Sequence, residues 1–137
     1  MKPVFQILVA ALLALPASSG AQTAPESTPG TGTLYVFRAD EDNGPSYALT
    51  YQNKTLARMK SGTYVVLQLP EGRQYMLVDP TAKDVYGVDI KTGADQYAQI
   101  VTEGNLLRRT PTLVDATRSE FDSIRSSMKQ VQLRNEP

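Results

Sequence analysis

From Thr33 onward, short runs of apolar and β-branched residues alternate with turn residues about every ten positions, the rhythm of an all-β domain. The first run, Thr33 to Arg38, carries Leu34-Tyr35-Val36-Phe37 without a polar gap, as a central strand covered on both faces would. It runs out in Asp40-Glu41-Asp42-Asn43-Gly44-Pro45. Ser46 to Gln52 and Thr55 to Met59 flank Asn53-Lys54, and because Asn tolerates positive φ the pattern predicts a tight hairpin there. Ser61-Gly62 leads into Thr63 to Leu69, where Val65, Leu67 and Leu69 share a face, and Pro70-Glu71-Gly72-Arg73 predicts the next turn. Gln74 to Val78, Val85 to Ile90 and Gln96 to Thr102 follow, with a short last strand at Leu113-Val114. With about eight strands and no helix between them, the pattern predicts an immunoglobulin-like or related antiparallel β-sandwich rather than a parallel βαβ fold.

The period changes only near the C-terminus. Phe121, Ile124, Met128 and Val131 fall at helical spacing, with Ser119, Asp122, Ser126 and Lys129 opposite, and Thr117 three residues before Glu120 forms a capping box. This predicts one amphipathic helix lying against the sandwich or covering a strand edge.

At the other end, Met1-Lys2 precedes an apolar stretch from Val4 to Leu15, broken only by Gln6, and then Pro16 and the small residues Ala17 to Ala21. These three parts match a secretory signal peptide, with cleavage expected between Ala21 and Gln22. The stretch is too short to span a hydrocarbon core of roughly 30 Å. The expected organisation is therefore a signal peptide over 1–21, a flexible leader rich in Thr, Pro and Gly over 22–32, a sandwich with its helix over 33–131, and a tail over 132–137. The implied location is periplasmic or extracellular. With no Cys at the cleavage point, no lipid anchor is expected.

Composition narrows the chemistry. The 137 residues include no His, no Cys and no Trp, and 14 Lys plus Arg balance 14 Asp plus Glu. A Ser-His-Asp triad, a thiol nucleophile, a disulfide and the ordinary zinc or iron–sulfur sites are excluded. The neutral balance argues against a nucleic-acid partner, which calls for a basic excess.

Leu34-Tyr35-Val36-Phe37-Arg38, the segment Gly62 to Gly72, and the later Gly93 with Tyr97 together resemble a family of bacterial envelope proteins known as a domain of unknown function, carried by lipoproteins and exported proteins. Leu69-Pro70-Glu71-Gly72-Arg73 is similar to the signature turn of PEGA domains, small envelope β-sandwich modules. The resemblance covers roughly residues 33 to 130 and implies a fold and a compartment. It brings no catalytic, cofactor or metal residue.

Asp40, Glu41 and Asp42 could offer oxygen ligands to Ca²⁺, but Gly44 is fifth and Tyr51 twelfth, which fails the EF-hand pattern. Asp79, Asp84, Asp89, Asp95 and Glu103 stand near turns and could pair as a hydrolase would require, although turn carboxylates usually bond backbone amides. Tyr35, Tyr64, Tyr75, Tyr86 and Tyr97 are expected to fill the core margin, whereas Tyr47 and Tyr51, in a more polar strand, are the candidates for an exposed recognition surface. Arg108-Arg109 could meet a phosphate or carboxylate, and Asn53-Lys54-Thr55 matches a glycosylation sequon. The expected function is a non-catalytic binding or accessory module of the envelope, free of cofactors, whose partner is an envelope protein or cell-wall component. The alternatives are a carboxylate-dependent hydrolase of cell-wall glycan and a structural subunit of a larger assembly.

Overall fold

In the computed structural model, residues 30–40, 44–79, 85–104 and 109–137 are described. The expected signal peptide and its cleavage point, Glu41 to Asn43, Asp84 and Arg108 lie outside these residues. Nine strands, β1 (Thr31–Arg38), β2 (Tyr47–Tyr51), β3 (Lys54–Met59), β4 (Thr63–Pro70), β5 (Gly72–Val78), β6 (Tyr86–Ile90), β7 (Asp95–Gly104), β8 (Arg109–Ala116) and β9 (Lys129–Gln130), make up two sheets among the described residues. One sheet has the order β8-β7-β1-β4-β9 and the other β3-β2-β5-β6. The protein is an all-β sandwich.

Strand β1 occupies the centre of the first sheet, as its apolar run predicts. Leu34 and Val36 point into the core between the sheets, with Leu67 and Leu69 of β4 and Ala98 and Ile100 of β7. The second sheet contributes Leu49, Leu56, Met76 and Ile90 to the same core. Each such Leu, Val, Ile or Met side chain contributes about 1.5 to 3 kcal/mol by leaving water, which is how a chain without disulfides holds together. The first ladder begins at Thr31, two residues inside the segment read as leader. Gly32 is required there, because a methyl at this position would run into the carbonyl oxygen of Lys91.

The first sheet is mixed. β1 pairs antiparallel with β4 but parallel with β7, from Thr33 opposite Asp95 to Phe37 opposite Gln99, and β4 pairs parallel with β9. No helical crossover is needed, since the chain passes through β5 and β6 of the opposite sheet before returning as β7. Two turns differ from the sequence reading. The hairpin loop is Gln52-Asn53, one residue earlier than expected, with φ of 51° and 63°. Both central residues in the left-handed region make a type I′ loop, which matches strand twist. The expected turn at Pro70 to Arg73 shrinks to Glu71, so that Arg73 joins a strand.

The outer face of β1 holds Phe37 and Tyr35 under the helix α1 (Arg118–Ile124). The capping box is formed: Thr117 Oγ1 accepts from the Glu120 amide at 3.1 Å, and the Glu120 carboxylate accepts from the Thr117 amide at 2.8 Å. Phe121 sits 5.2 to 5.5 Å, centroid to centroid, from Tyr35, Phe37, Tyr64 and Tyr97. The helix is shorter than its spacing predicts. It ends at Ile124, passes through one 3₁₀ turn (Arg125–Ser127), and Met128 is reached in extended conformation. The hydroxyls of Ser123 and Ser127 bond the carbonyls of Glu120 and Ile124 and compete with the helical pattern, while Lys129 is claimed by the edge of β4.

The last residues close one flank of the sandwich. The Lys129 and Val131 amides donate to Gly62 O and Tyr64 O on the first sheet, and the Arg134 amide and Asn135 Nδ2 to Leu56 O and Thr55 O on the second. Val131 and Leu133 pack on the core beneath. On the opposite flank β6 and β8 end their sheets, with no such strap among the described residues.

Candidate functional site

Strands β5 and β6 pair with Arg73 opposite Asp89, Tyr75 opposite Gly87 and Met76 opposite Tyr86. Alternation sends Met76, Val78, Val88 and Ile90 into the core and turns Arg73, Tyr75 and Asp89 outward. Tyr86 lies at the seam between the sheets, where its hydroxyl donates to Asp115 Oδ1 on β8 at 2.6 Å. β7 extends beyond the last residue of β8, so Asp95 and Gln96 project past the pair Tyr97–Ala116. Gln96 fastens the end of β6: its Nε2 donates to Asp89 O at 2.7 Å and its Oε1 accepts from the Lys91 amide at 3.1 Å.

Between these elements, on the open flank, lies a groove of about 470 Å³. Arg73, Lys91 and Arg118 bring three cations to its lining, and Asp89, Asp95 and Asp115 bring three carboxylates. Tyr86 and Tyr97 supply aromatic rings. Arg73 Nη1 is 3.2 Å from Asp89 Oδ2, and hydrogen bonding to Asp89, then to Tyr75, holds the guanidinium above its ordinary value. Burial first, and the bond to Asp115 second, push the Tyr86 phenol well above its ordinary range, so it acts as a donor and stays protonated at neutral pH. A second depression, of about 390 Å³, opens on the outer face of the second sheet around Tyr75, Leu77, Thr50 and Val85.

Three tyrosines depart from the roles read from the sequence. Tyr47 and Tyr51, expected to be exposed, are 8% and 2% accessible. β2 is an interior strand, and its inner face is the one carrying Tyr47, Leu49 and Tyr51. The Arg38 guanidinium covers the Tyr47 ring at 4.6 Å, and the Tyr51 hydroxyl donates to Gln74 Oε1 at 2.6 Å. Tyr75, expected at the core margin, is 57% exposed. Tyr64 is buried, and Tyr35 and Tyr97 stack at 5.0 Å, half-covered beside α1.

Of the carboxylates singled out, Asp89 and Asp95 meet in the groove, while Asp79 and Glu103 do not line it. Asp115 joins them without having been expected. Asp40 is exposed and accepts a 3.3 Å bond from Ser61 Oγ, and among the described residues no three acidic side chains gather around one metal position. Arg109 opens β8. Sequence reasoning missed Arg73, Lys91, Gln96, Arg118 and the Tyr86–Asp115 bridge. Extending the alternation of Gln74 to Val78 back by one residue would have placed Arg73 beside Tyr75 on the outward face. Nothing in the sequence announces a bridge between residues 29 apart on different sheets. Compared with known proteins, the chain matches no family model, no curated protein and no solved structure.

Proposed function

We propose that the chain is an exported, non-catalytic binding module of a bacterial cell envelope, and that the groove on the open flank is where it meets its partner, an envelope protein or a cell-wall component. The export reading rests on Met1 to Ala21, and no described helix is long and apolar enough to cross a membrane. One observation carries the binding reading: the groove's polar groups are paired across its strands, with Arg73 facing Asp89 and Tyr86 donating to Asp115. Such an array presents donors and acceptors in defined places. The rival hydrolase reading needs two carboxyl groups free to face a scissile bond, and of the three in the groove Asp89 and Asp115 are each engaged by a neighbouring side chain, which leaves Asp95 without a second.

The test is affinity capture from an envelope fraction, with Arg73→Glu as the comparison. Capture of the same component by the natural chain, and its loss in the variant at unchanged thermal midpoint, is the expected result. Hydrolysis of cell-wall glycan that disappears in Asp89→Asn or Asp115→Asn with the fold intact would replace the binding reading with the enzymatic one. Intact-mass analysis of the exported protein should show Gln22 as its first residue, and a mass retaining Met1 to Ala21 would refute cleavage at that point.

A further inference from the structure

We propose that the groove and the depression beside it form one extended site for a neutral oligosaccharide, with Arg73 at its centre and Tyr75 as its stacking platform. This rests on the binding-module reading and names the ligand class for that same site. The continuity is physical, since Arg73 lines both concavities. Three neighbours surround it. Asp89 lies 3.2 Å from the guanidinium, the Tyr75 ring centroid lies 5.9 Å away, and the bare backbone of Gly87 leaves room beside it. A Cβ at Gly87 would stand 2.8 Å from Nη2 of Arg73 and lift it out of this position.

Three features select a saccharide. The first is the charge balance of the groove, three cations against three carboxylates, which gives no net attraction to a polyanion or a polycation. The second is the pairing of planar polar groups with aromatic faces. A guanidinium and a carboxylate side by side offer donors and acceptors together, as neighbouring sugar hydroxyls require, and the exposed ring of Tyr75 with Val85 next to it offers an apolar surface to the C–H face of a pyranose. The third feature turns away the commonest alternative, a peptide adding as a strand to β6. Such an addition needs free backbone groups along the edge, and at this end the Gln96 amide already occupies Asp89 O and the Lys91 N–H.

The experiment is a titration of the full chain, followed by backbone amide NMR, with neutral tetrasaccharides (β-1,4-linked N-acetylglucosamine, β-1,4-linked glucose and α-1,4-linked glucose) and the corresponding disaccharides. One tetrasaccharide should bind at least about tenfold tighter than its disaccharide and shift amides on both sides of Arg73, including those of Tyr75 and Gln96. Tyr75→Ala and Gly87→Ala should each weaken it about tenfold, with Tyr35→Phe as an unaffected control and thermal midpoints confirming the fold. Equal affinity for disaccharide and tetrasaccharide would overturn the extended site. Failure of all three tetrasaccharides while envelope capture persists would overturn the saccharide assignment and leave the binding module standing; binding of an extended peptide in their place would have the same effect. Loss of both would remove the binding-module reading as well.

Discussion

Arg38 is buried to 2% exposure at the end of β1, where Nη1 donates to Pro45 O at 2.7 Å and Met59 O at 2.9 Å while the guanidinium rests on Tyr47. A planar group with five donors suits this place, and an ammonium does not reproduce it. Arg38→Ala would strand two carbonyl oxygens, each costing about 1 to 3 kcal/mol, so a loss of about 3 kcal/mol is expected, with Arg38→Lys in between. Urea denaturation of the three proteins checks this, and equal midpoints would refute it. Tyr86 gives a pH signature. Its pKa is raised in the folded state above an ordinary value of 10.0, so the stability it confers is complete below pH 10 and declines as pH rises through the folded value, where the unfolded chain ionises first. Tyr86→Phe should therefore flatten part of the alkaline fall in thermal midpoint, and an unchanged alkaline limb would contradict the bond to Asp115. At this scale the sequence was an uneven guide. Polar neighbours at Ser46, Thr50 and Gln52 made the β2 tyrosines look solvent-facing, yet period-2 alternation shows only that two faces differ. Which of them meets the core depends on the sheet to which the strand belongs.

At the level of elements, local signals were the readable ones. The Thr117–Glu120 capping box needs only three residues of separation, and it starts α1 as expected. The stop was not legible, because Lys129 and Gln130 leave the helical path for a ladder with Thr63 and Tyr64, partners 66 residues away. The helix still docks through Phe121, which is 1% exposed. Phe121→Ala should cost about 3 to 5 kcal/mol and Ser126→Ala close to nothing, measured by chemical denaturation. Matching midpoints would show that the aromatic cluster contributes no stability. The C-terminal strap gives the complementary prediction. Ending the chain after Val131 removes the bonds to Leu56 O and Thr55 O and the packing of Leu133, and a loss of about 2 to 3 kcal/mol is expected. Sedimentation should then reveal self-association through the uncovered β3 edge, and a strictly monomeric truncated chain would refute that role.

For the whole molecule, the sandwich was legible because turn residues at regular spacing between apolar runs leave few other architectures. The partners of each strand were not. Nothing near Thr33 signals that Asp95 will lie beside it in parallel, and nothing near Arg73 signals a groove shared with β7 and β8, since both are decided by how distant segments return to one another. The candidate site was correspondingly half-visible: Asp89 and Asp95 stood out as carboxylates near turns, but of the cations that balance them Arg73 was placed in a turn and Lys91 and Arg118 carried no signal of their own. The sealed flank also sets an order of events. A chain emerging N-terminus first releases residues 129–135 after the strands they cover. Asn135 must come back to a carbonyl 80 residues upstream, so the earlier strands leave Leu56 at a bare margin until residue 135 has emerged. The half-emerged chain is thus the form most exposed to sticking to its neighbours, and that exposure ends once residue 135 has arrived.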